Sequence, residues 1–242
     1  MNAADIPGSR TTNAGVNKYF IGTALALGAV VLTGFARTYY LKVLFGTPPL
    51  TWWVHLHGFL LTLWFILFLV QSSLIASHRV ALHRRLGVFG GFLAAAVVIV
   101  GVPTLLHFVA APEPNPEIHG FLLQLLGVDL LIFVLFAGFV SSAILMRHRG
   151  DVHKRLMLLG TLSLVWPPMS RIPIAFISDN FLVSLILTDL CVVVCIAIDT
   201  IRHRRLHPVF GWGGLLNIAA LHLCRLGVHT QTWMQFANRL VS

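Results

Sequence analysis

Histidines are the residues of this chain best suited to chemistry, because imidazole nitrogen ligates metals and exchanges protons near neutral pH. The 242 residues include twelve of them. Three, His57, His119 and His222, lie within apolar runs, where a histidine is costly unless it has a partner. We treat these three as candidate site residues, and contact with lipid headgroups or neighbouring helices is the alternative for each one taken alone. Six others belong to basic stretches between the apolar runs: His78, His83, His148, His153, His203 and His207.

A repeat places four histidines in two pairs. The string HGFL occurs at 57–60 and again at 119–122, and the strings HRRL and HKRL follow in the same order at 83–86 and 153–156. A weaker echo, HRRL, occurs at 203–206. Self-similarity on this scale predicts two copies of one helical hairpin. Chance similarity among short basic loops is the alternative.

Paired imidazoles on neighbouring helices suit a b-type haem, which takes one axial nitrogen from each side. The repeat predicts that His57 and His119 share one depth near the outer face, and that His83 and His153 share another near the inner face. Four helices with two such pairs would hold two haems and pass single electrons across the bilayer. We therefore predict a membrane electron-transfer protein with haem b as its cofactor.

The layout of residues 52–176 resembles that of the ascorbate-dependent transmembrane cytochrome b reductases. The resemblance lies in the spacing of the histidines and not in residue identity. It implies His57 and His119 as outer-haem ligands and His83 and His153 as inner-haem ligands. In residue identity, the sequence is more similar to uncharacterised bacterial multi-helix membrane proteins that contain strings such as HRRLG and HKRLMLL. That second resemblance implies no known activity.

A metal site without haem is a rival interpretation. Copper, zinc and iron all accept imidazole ligands. Such a site would use histidines near the outer ends of the apolar runs, with Glu117 nearby: His57, His107, His119 and His222.

Charged residues inside apolar runs are further candidates. Asp129 and Asp189 each lie about ten residues from a helix end, near mid-bilayer, and Arg171 lies in the outer part of the fifth run. A proton relay and interhelical hydrogen bonding are the two interpretations. The stretch 166–173, WPPMSRIP, must break its helix, because proline lacks the backbone donor. A broken membrane helix predicts a polar pocket on the outer side. Its expected residues are Arg171, His57, His107, His119 and His222.

The composition identifies the elements that must position these residues. The chain is 57% hydrophobic and 10% charged, with a mean hydropathy of +0.85, which excludes an ordinary soluble domain. We predict an all-α polytopic integral membrane protein with a membrane domain at 20–228, flanked by a polar cytoplasmic tail at 1–19 and an outer tail at 229–242. Core hairpins are expected at 52–109 and 118–176. A bilayer needs about 20 apolar residues per helix, and seven such spans are predicted: Phe20–Ala36, Trp52–Ala76, Leu86–Val109, Ile118–Met146, Arg155–Phe176, Phe181–Ile201 and Phe210–Gly227.

The basic residues predict the orientation, because loops rich in lysine and arginine stay in the cytoplasm. Twelve of the seventeen fall on the side of the N-terminus and five on the other. We expect a multi-pass protein of the inner (cytoplasmic) membrane with its N-terminus inside and its C-terminus outside. The net charge of +9 therefore reports topology and does not indicate a nucleic-acid partner.

No hydrolase, nucleotide-binding or dinucleotide motif occurs, so the sequence does not decide whether the chain is an enzyme. The alternative to electron transfer is a non-catalytic accessory or structural subunit that packs through glycine-rich faces against a larger membrane enzyme. The expected protein partner is a larger membrane oxidoreductase complex or further copies of this chain. Those faces are Gly87, Gly90 and Gly91, and Gly211, Gly213 and Gly214.

Overall fold

The structure, a computed structural model, describes residues 7–242, with side chains from Tyr19 onward. This described part is all-helical and contains no strand. A π-helical turn at Ala36–Tyr40 follows the first helix. The helices are α1 (Pro7–Gly34), α2 (Trp52–Ala76), α3 (Val80–Val109), α4 (Pro116–Leu145), α5 (Gly150–Ser163), α6 (Trp166–Met169), α7 (Ala175–Ser178), α8 (Phe181–His203), α9 (Pro208–Gly227) and α10 (Gln231–Val241).

Five of these helices, α2, α3, α4, α8 and α9, are long and apolar enough to cross a membrane. Large apolar side chains on their surfaces, such as Leu145, Ile201 and Trp212, remain exposed in the chain by itself. Exposed apolar surface of this extent indicates a lipid environment. The protein is therefore an all-helical membrane protein with five candidate spanning helices in its described residues, whereas the sequence predicted seven spans.

The two other predicted spans differ from a simple spanning helix. The apolar part of α1, Tyr19–Gly34, is shorter than the length a bilayer requires. The predicted span Arg155–Phe176 is not continuous, because α5 ends at Ser163 and only the short helices α6 and α7 follow. The helix break expected from Pro167, Pro168 and Pro173 is confirmed, since proline removes the backbone donor that a helix needs.

The ends of the chain are more helical than expected. The predicted tail 1–19 lies outside the described residues up to position 6, and α1 begins at Pro7, within that stretch. The predicted outer tail 229–242 forms α10, which packs on α3 and α4. Ala237 is fully buried there, and Nε1 of Trp233 donates a hydrogen bond to the carbonyl of Leu123 at 2.9 Å.

Two helical hairpins, α2–α3 and α4–α5, form the centre of the bundle. The Trp64 ring from α2 packs edge-on against Phe136 from α4, with ring centroids 4.8 Å apart. Nε1 of Trp64 also donates to Oγ1 of Thr161 on α5 at 3.3 Å. An aromatic pair with a satisfied indole N–H is a specific contact inside an apolar core. These contacts fix how far α2 and α4 are shifted along their axes relative to each other.

The remaining helices surround this centre. α9 packs on α4 and α5, α8 packs on α9, and α1 packs on α2 and α6. Gly34, the last residue of α1, lies so close to the broken segment that a side chain there would overlap the backbone carbonyl of Pro168. Close approach of two backbones is the use of glycine that membrane helices favour.

Gly34→Ala is therefore expected to destabilise the protein by about 1–3 kcal/mol, because the added methyl group must displace backbone. Gly28 on the same helix has open space around it, so Gly28→Ala is the matched control and leaves stability unchanged or slightly raised. Thermal denaturation of the two purified variants in detergent measures the difference. Equal melting temperatures would show that α1 and α6 do not pack as described.

Candidate functional site

His83 and His153 meet between the two hairpins. Their ring centroids are 6.3 Å apart and their planes are inclined by 83°. The two residues occupy equivalent positions, because each is the fourth residue after the arginine at the N-cap of its helix, Arg79 for α3 and Arg149 for α5. The predicted inner pair is thus brought together.

The proton positions on His153 follow from its contact with α4. Nδ1 of His153 lies 2.8 Å from the backbone carbonyl of Ala143. A carbonyl only accepts, so in neutral His153 Nδ1 carries the proton and Nε2 keeps its lone pair. A histidine whose Nδ1–H is held by a carbonyl is the usual arrangement for a metal ligand that binds through Nε2.

His83 has its own partner on α2, the side-chain amide of Gln71. In the amide orientation that satisfies every group, the nitrogen donates to Nδ1 of His83 at 2.7 Å and the oxygen accepts from the Gly87 N–H at 3.0 Å. Neutral His83 then carries its proton on Nε2. Ligation through Nε2 would move that proton to Nδ1, and the Gln71 amide would turn to accept it through its oxygen.

The separation of the two rings suits one shared metal. Two metal–nitrogen bonds of about 2.0–2.1 Å and two ring half-widths of about 1.1 Å give roughly 6.3 Å between centroids. Structural zinc needs about four protein ligands, and no group of three or more His, Cys, Asp or Glu side chains that can hold a metal occurs in the described part of the chain. A haem iron takes four nitrogens from its own macrocycle, so two histidines suffice. In the number of protein donors alone, the two histidines match a haem better than a bare metal ion.

The glycines near these histidines serve helix packing. A Cβ at Gly90 would lie 3.2 Å from Leu67 of α2, and one at Gly160 would lie 3.0 Å from Val140 of α4. Each glycine therefore faces the partner helix of its own hairpin.

The predicted outer pair is not brought together. The His57 ring lies against Phe133, with centroids 6.0 Å apart, whereas Nε2 of His119 lies 3.0 Å from Oδ1 of Asn238 on α10. Phe133 is fourteen residues beyond His119 on α4, which is about 21 Å along a helix. His57 and His119 are therefore at different depths.

The four histidines of the alternative metal site also have separate surroundings. His222 pairs with Asp189, with Nε2 and Oδ2 2.7 Å apart. His107 is exposed in the last turn of α3, and His57 and His119 are separated as described above. The expected convergence of these side chains on one copper, zinc or iron ion is not found in the described residues.

Arg171 lies near two buried polar groups, as the sequence predicted in part. Its charge acts on both His57 and Asp129. Nδ1 of His57 and Oδ1 of Asp129 are buried without a hydrogen-bond partner. One guanidinium nitrogen of Arg171 donates to the carbonyl of Pro167 at 2.7 Å, and its cation lies over the Phe35 ring. This arrangement is a polar cluster beside the broken helix, and Asp189 does not belong to it.

Sequence reasoning missed a buried ion pair between Arg155 and Asp199. Nε and one terminal nitrogen of Arg155 donate to the two carboxylate oxygens at 2.9 and 3.0 Å, and both side chains are buried. Bidentate pairs of this kind are the strong ones. The sequence places Arg155 at the start of a predicted span and indicates no acidic partner for it. The available signal was the spacing of Asp199 from His203, four residues later on the same helix, which places both on one face.

A second acid–base contact lies at the start of α5. Nε2 of His207 lies 3.2 Å from Oδ2 of Asp151, and this hydrogen bond lowers the pKa of the Asp151 carboxyl. Because Asp151 is mostly exposed, solvent screens the interaction. The contact ties the α8–α9 loop to the start of α5.

Comparisons with protein-family models, with curated proteins and with solved structures found no match. Any functional assignment of this chain therefore depends on its own geometry.

Asp199→Asn is expected to cost about 3–5 kcal/mol of stability, because it leaves the Arg155 charge buried without its partner. Asp179→Asn is the matched control, since Asp179 is exposed and its carboxylate accepts from Ser178 at the surface. Thermal or denaturant unfolding in detergent compares the two. If both variants unfold like the wild type, the ion pair does not stabilise the fold.

Proposed function

We propose that this chain is a membrane electron-transfer protein in which His83 and His153 would be the two protein ligands of one b-type haem. The observation that carries the proposal is the 6.3 Å separation of the two rings on neighbouring hairpins. When bound, a haem of this kind supplies reversible one-electron transfer.

The protein's own residues would prepare both imidazoles for this role. Ala143 fixes the tautomer of His153, and Gln71 contacts the matching nitrogen of His83. Partners of this kind orient a ligand ring and raise its basicity. The site would thus offer two oriented nitrogens from two different helices.

The proposal concerns one haem. Two haems stacked across the bilayer would need the outer pair as well, and His57 and His119 face different partners. The layout of the two-haem cytochrome b reductases would accordingly apply to the inner half alone.

The proposed topology keeps seven passes. The apolar part of α1 would form the first, and the α5–α7 segment would form a broken fifth pass. The equivalent positions of His83 and His153 at the starts of α3 and α5 support a duplicated hairpin core. The excess of basic residues on one face supports an N-terminus in the cytoplasm and a C-terminus outside an inner membrane.

The accessory-subunit alternative has lost one of its supports. Of the glycine faces proposed for a partner, Gly213 packs against Leu159 and Gly214 against Ile196 within this chain. Gly91 is likewise next to Ile144. These glycines serve the internal packing of the bundle.

The reduced-minus-oxidised absorption spectrum of the purified protein is expected to contain a Soret band and a sharp α band. His83→Ala and His153→Ala should each abolish the whole signal, because both histidines would bind the same iron. His148→Ala and His78→Asn are matched controls in the preceding loops, with asparagine chosen because His78 has a positive φ of 59°. These controls, together with His57→Ala and His119→Ala, should keep the signal.

Other results would redirect the assignment. A colourless preparation contradicts the haem proposal. If that preparation contains stoichiometric copper, zinc or iron, a bare metal site is favoured. If it contains no metal and co-purifies with a larger oxidoreductase, the accessory subunit is favoured.

Gln71 allows a second test of the same proposal. An acceptor for Nδ1–H makes the ligating imidazole a better donor and favours oxidised iron. Gln71→Leu should therefore raise the midpoint potential and Gln71→Glu should lower it, as measured by redox titration of the α band. Two shifts of the same sign, or none, would show that Gln71 does not act on the ligand.

A further inference from the structure

A polar cavity lies where the N-terminus of α5 meets the loop between α8 and α9. Its volume is about 110 Å³. One buried water needs only about 10–15 Å³, so this space admits a larger polar group. The lining residues are almost all basic: Asp151, Lys154, Arg155, His203, Arg205 and His207.

The cavity carries an excess of positive charge. Arg155 is neutralised by Asp199 behind it, and Asp151 at the rim accepts from His207. With both histidines neutral, Lys154 and Arg205 contribute two positive charges against the one negative charge of Asp151, which leaves a net charge of +1. Lys154 is half-buried beside Arg155, and the two like charges repel each other. A bound anion would relieve that repulsion.

The donors are held at the cavity by the fold. Arg155 is fixed by both oxygens of Asp199 and by its bond to the Asp151 carbonyl at 2.8 Å. Nζ of Lys154 lies over the Phe20 ring of α1, 5.6 Å from its centroid. Nδ1 of His203 bonds the carbonyl of Asp199 at 2.8 Å, which turns its other ring nitrogen away from the helix backbone. Oriented cationic donors are what a phosphate group requires.

We propose that this cavity binds a phosphate group, carried by the headgroup of an anionic phospholipid. The lining residues lie in the first turns of α5, at the end of α8 and in the loop before α9, and α8 and α9 are candidate membrane-spanning helices. The ends of spanning helices are where lipid phosphates are met. Basic pockets between membrane helices are the places where acidic headgroups bind. The proposal does not involve His83 and His153 and is independent of the haem.

Positive residues that only set topology are distinguishable from this group. Arg79, Arg84 and Arg85 lie on the same basic face but are exposed and do not line the cavity. Loss of one of them changes the charge of the face without changing the pocket. Arg85→Gln is therefore a matched control for Lys154→Gln and Arg205→Gln.

The test titrates the full-length protein with phosphatidylglycerol, with phosphatidylcholine and with inorganic phosphate, followed by native mass spectrometry and by thermal stabilisation. Phosphatidylglycerol is expected to bind more tightly than phosphatidylcholine. Each basic contact near the membrane surface is worth about fivefold in affinity. Lys154→Gln and Arg205→Gln should therefore each weaken binding about fivefold, while Arg85→Gln leaves it unchanged.

Each alternative outcome has a meaning. If inorganic phosphate alone binds with the same dependence on Lys154 and Arg205, the phosphate site stands but its ligand is free phosphate. If Arg85→Gln weakens binding as much as Lys154→Gln, only general surface charge is at work and the proposal is overturned. Equal binding of the two lipids overturns it as well. Because Arg205 is exposed, Arg205→Gln should fold normally and keeps the test valid if Lys154→Gln does not.

Discussion

The contact between Trp64 and Phe136 fixes the register of the two hairpins, and this register determines which histidines can meet. His57 lies seven residues before Trp64, whereas His119 lies seventeen residues before Phe136. The difference of ten residues is about 15 Å of helix, so His57 and His119 lie at different levels along the helix axes. At the other ends of the hairpins, two short loops bring His83 and His153 to the same level.

Burial imposes the second constraint, because a polar group shielded from water must find its partner within the protein. Arg155 and Asp199 satisfy each other, and so do His222 and Asp189. The broken segment after α5 follows the same rule, since the backbone N–H groups of Met169, Ser170 and Arg171 donate to carbonyls within the segment. His57 and Asp129 do not follow it, because each has a buried atom without a partner beside the charge of Arg171. Such atoms mark a place for water or a polar ligand.

Much of the helical framework could be predicted from the sequence, because a long apolar run has only one stable form in a bilayer. The predicted span Trp52–Ala76 has the same limits as α2, and the prolines correctly predicted the helix break. The repeat also indicated the meeting of His83 and His153. The repeat did not predict that the outer ends of α2 and α4 are shifted relative to each other. The spacing of motifs counts residues and does not record the side-chain contact that sets the register of two helices. Asp199 was missed for a similar reason, since its partner is 44 residues away on another helix.

One turn of α5 links the two proposed sites. Successive residues of a helix point about 100° apart, so His153, Lys154 and Arg155 face three different neighbours. His153 faces α4 and His83, Lys154 faces Phe20 of α1, and Arg155 faces Asp199 of α8. The HKR string therefore places a ligand ring, a cation at the cavity and a buried ion pair on three sides of one short helix. These three residues thereby hold the centre of the bundle to its outer helices.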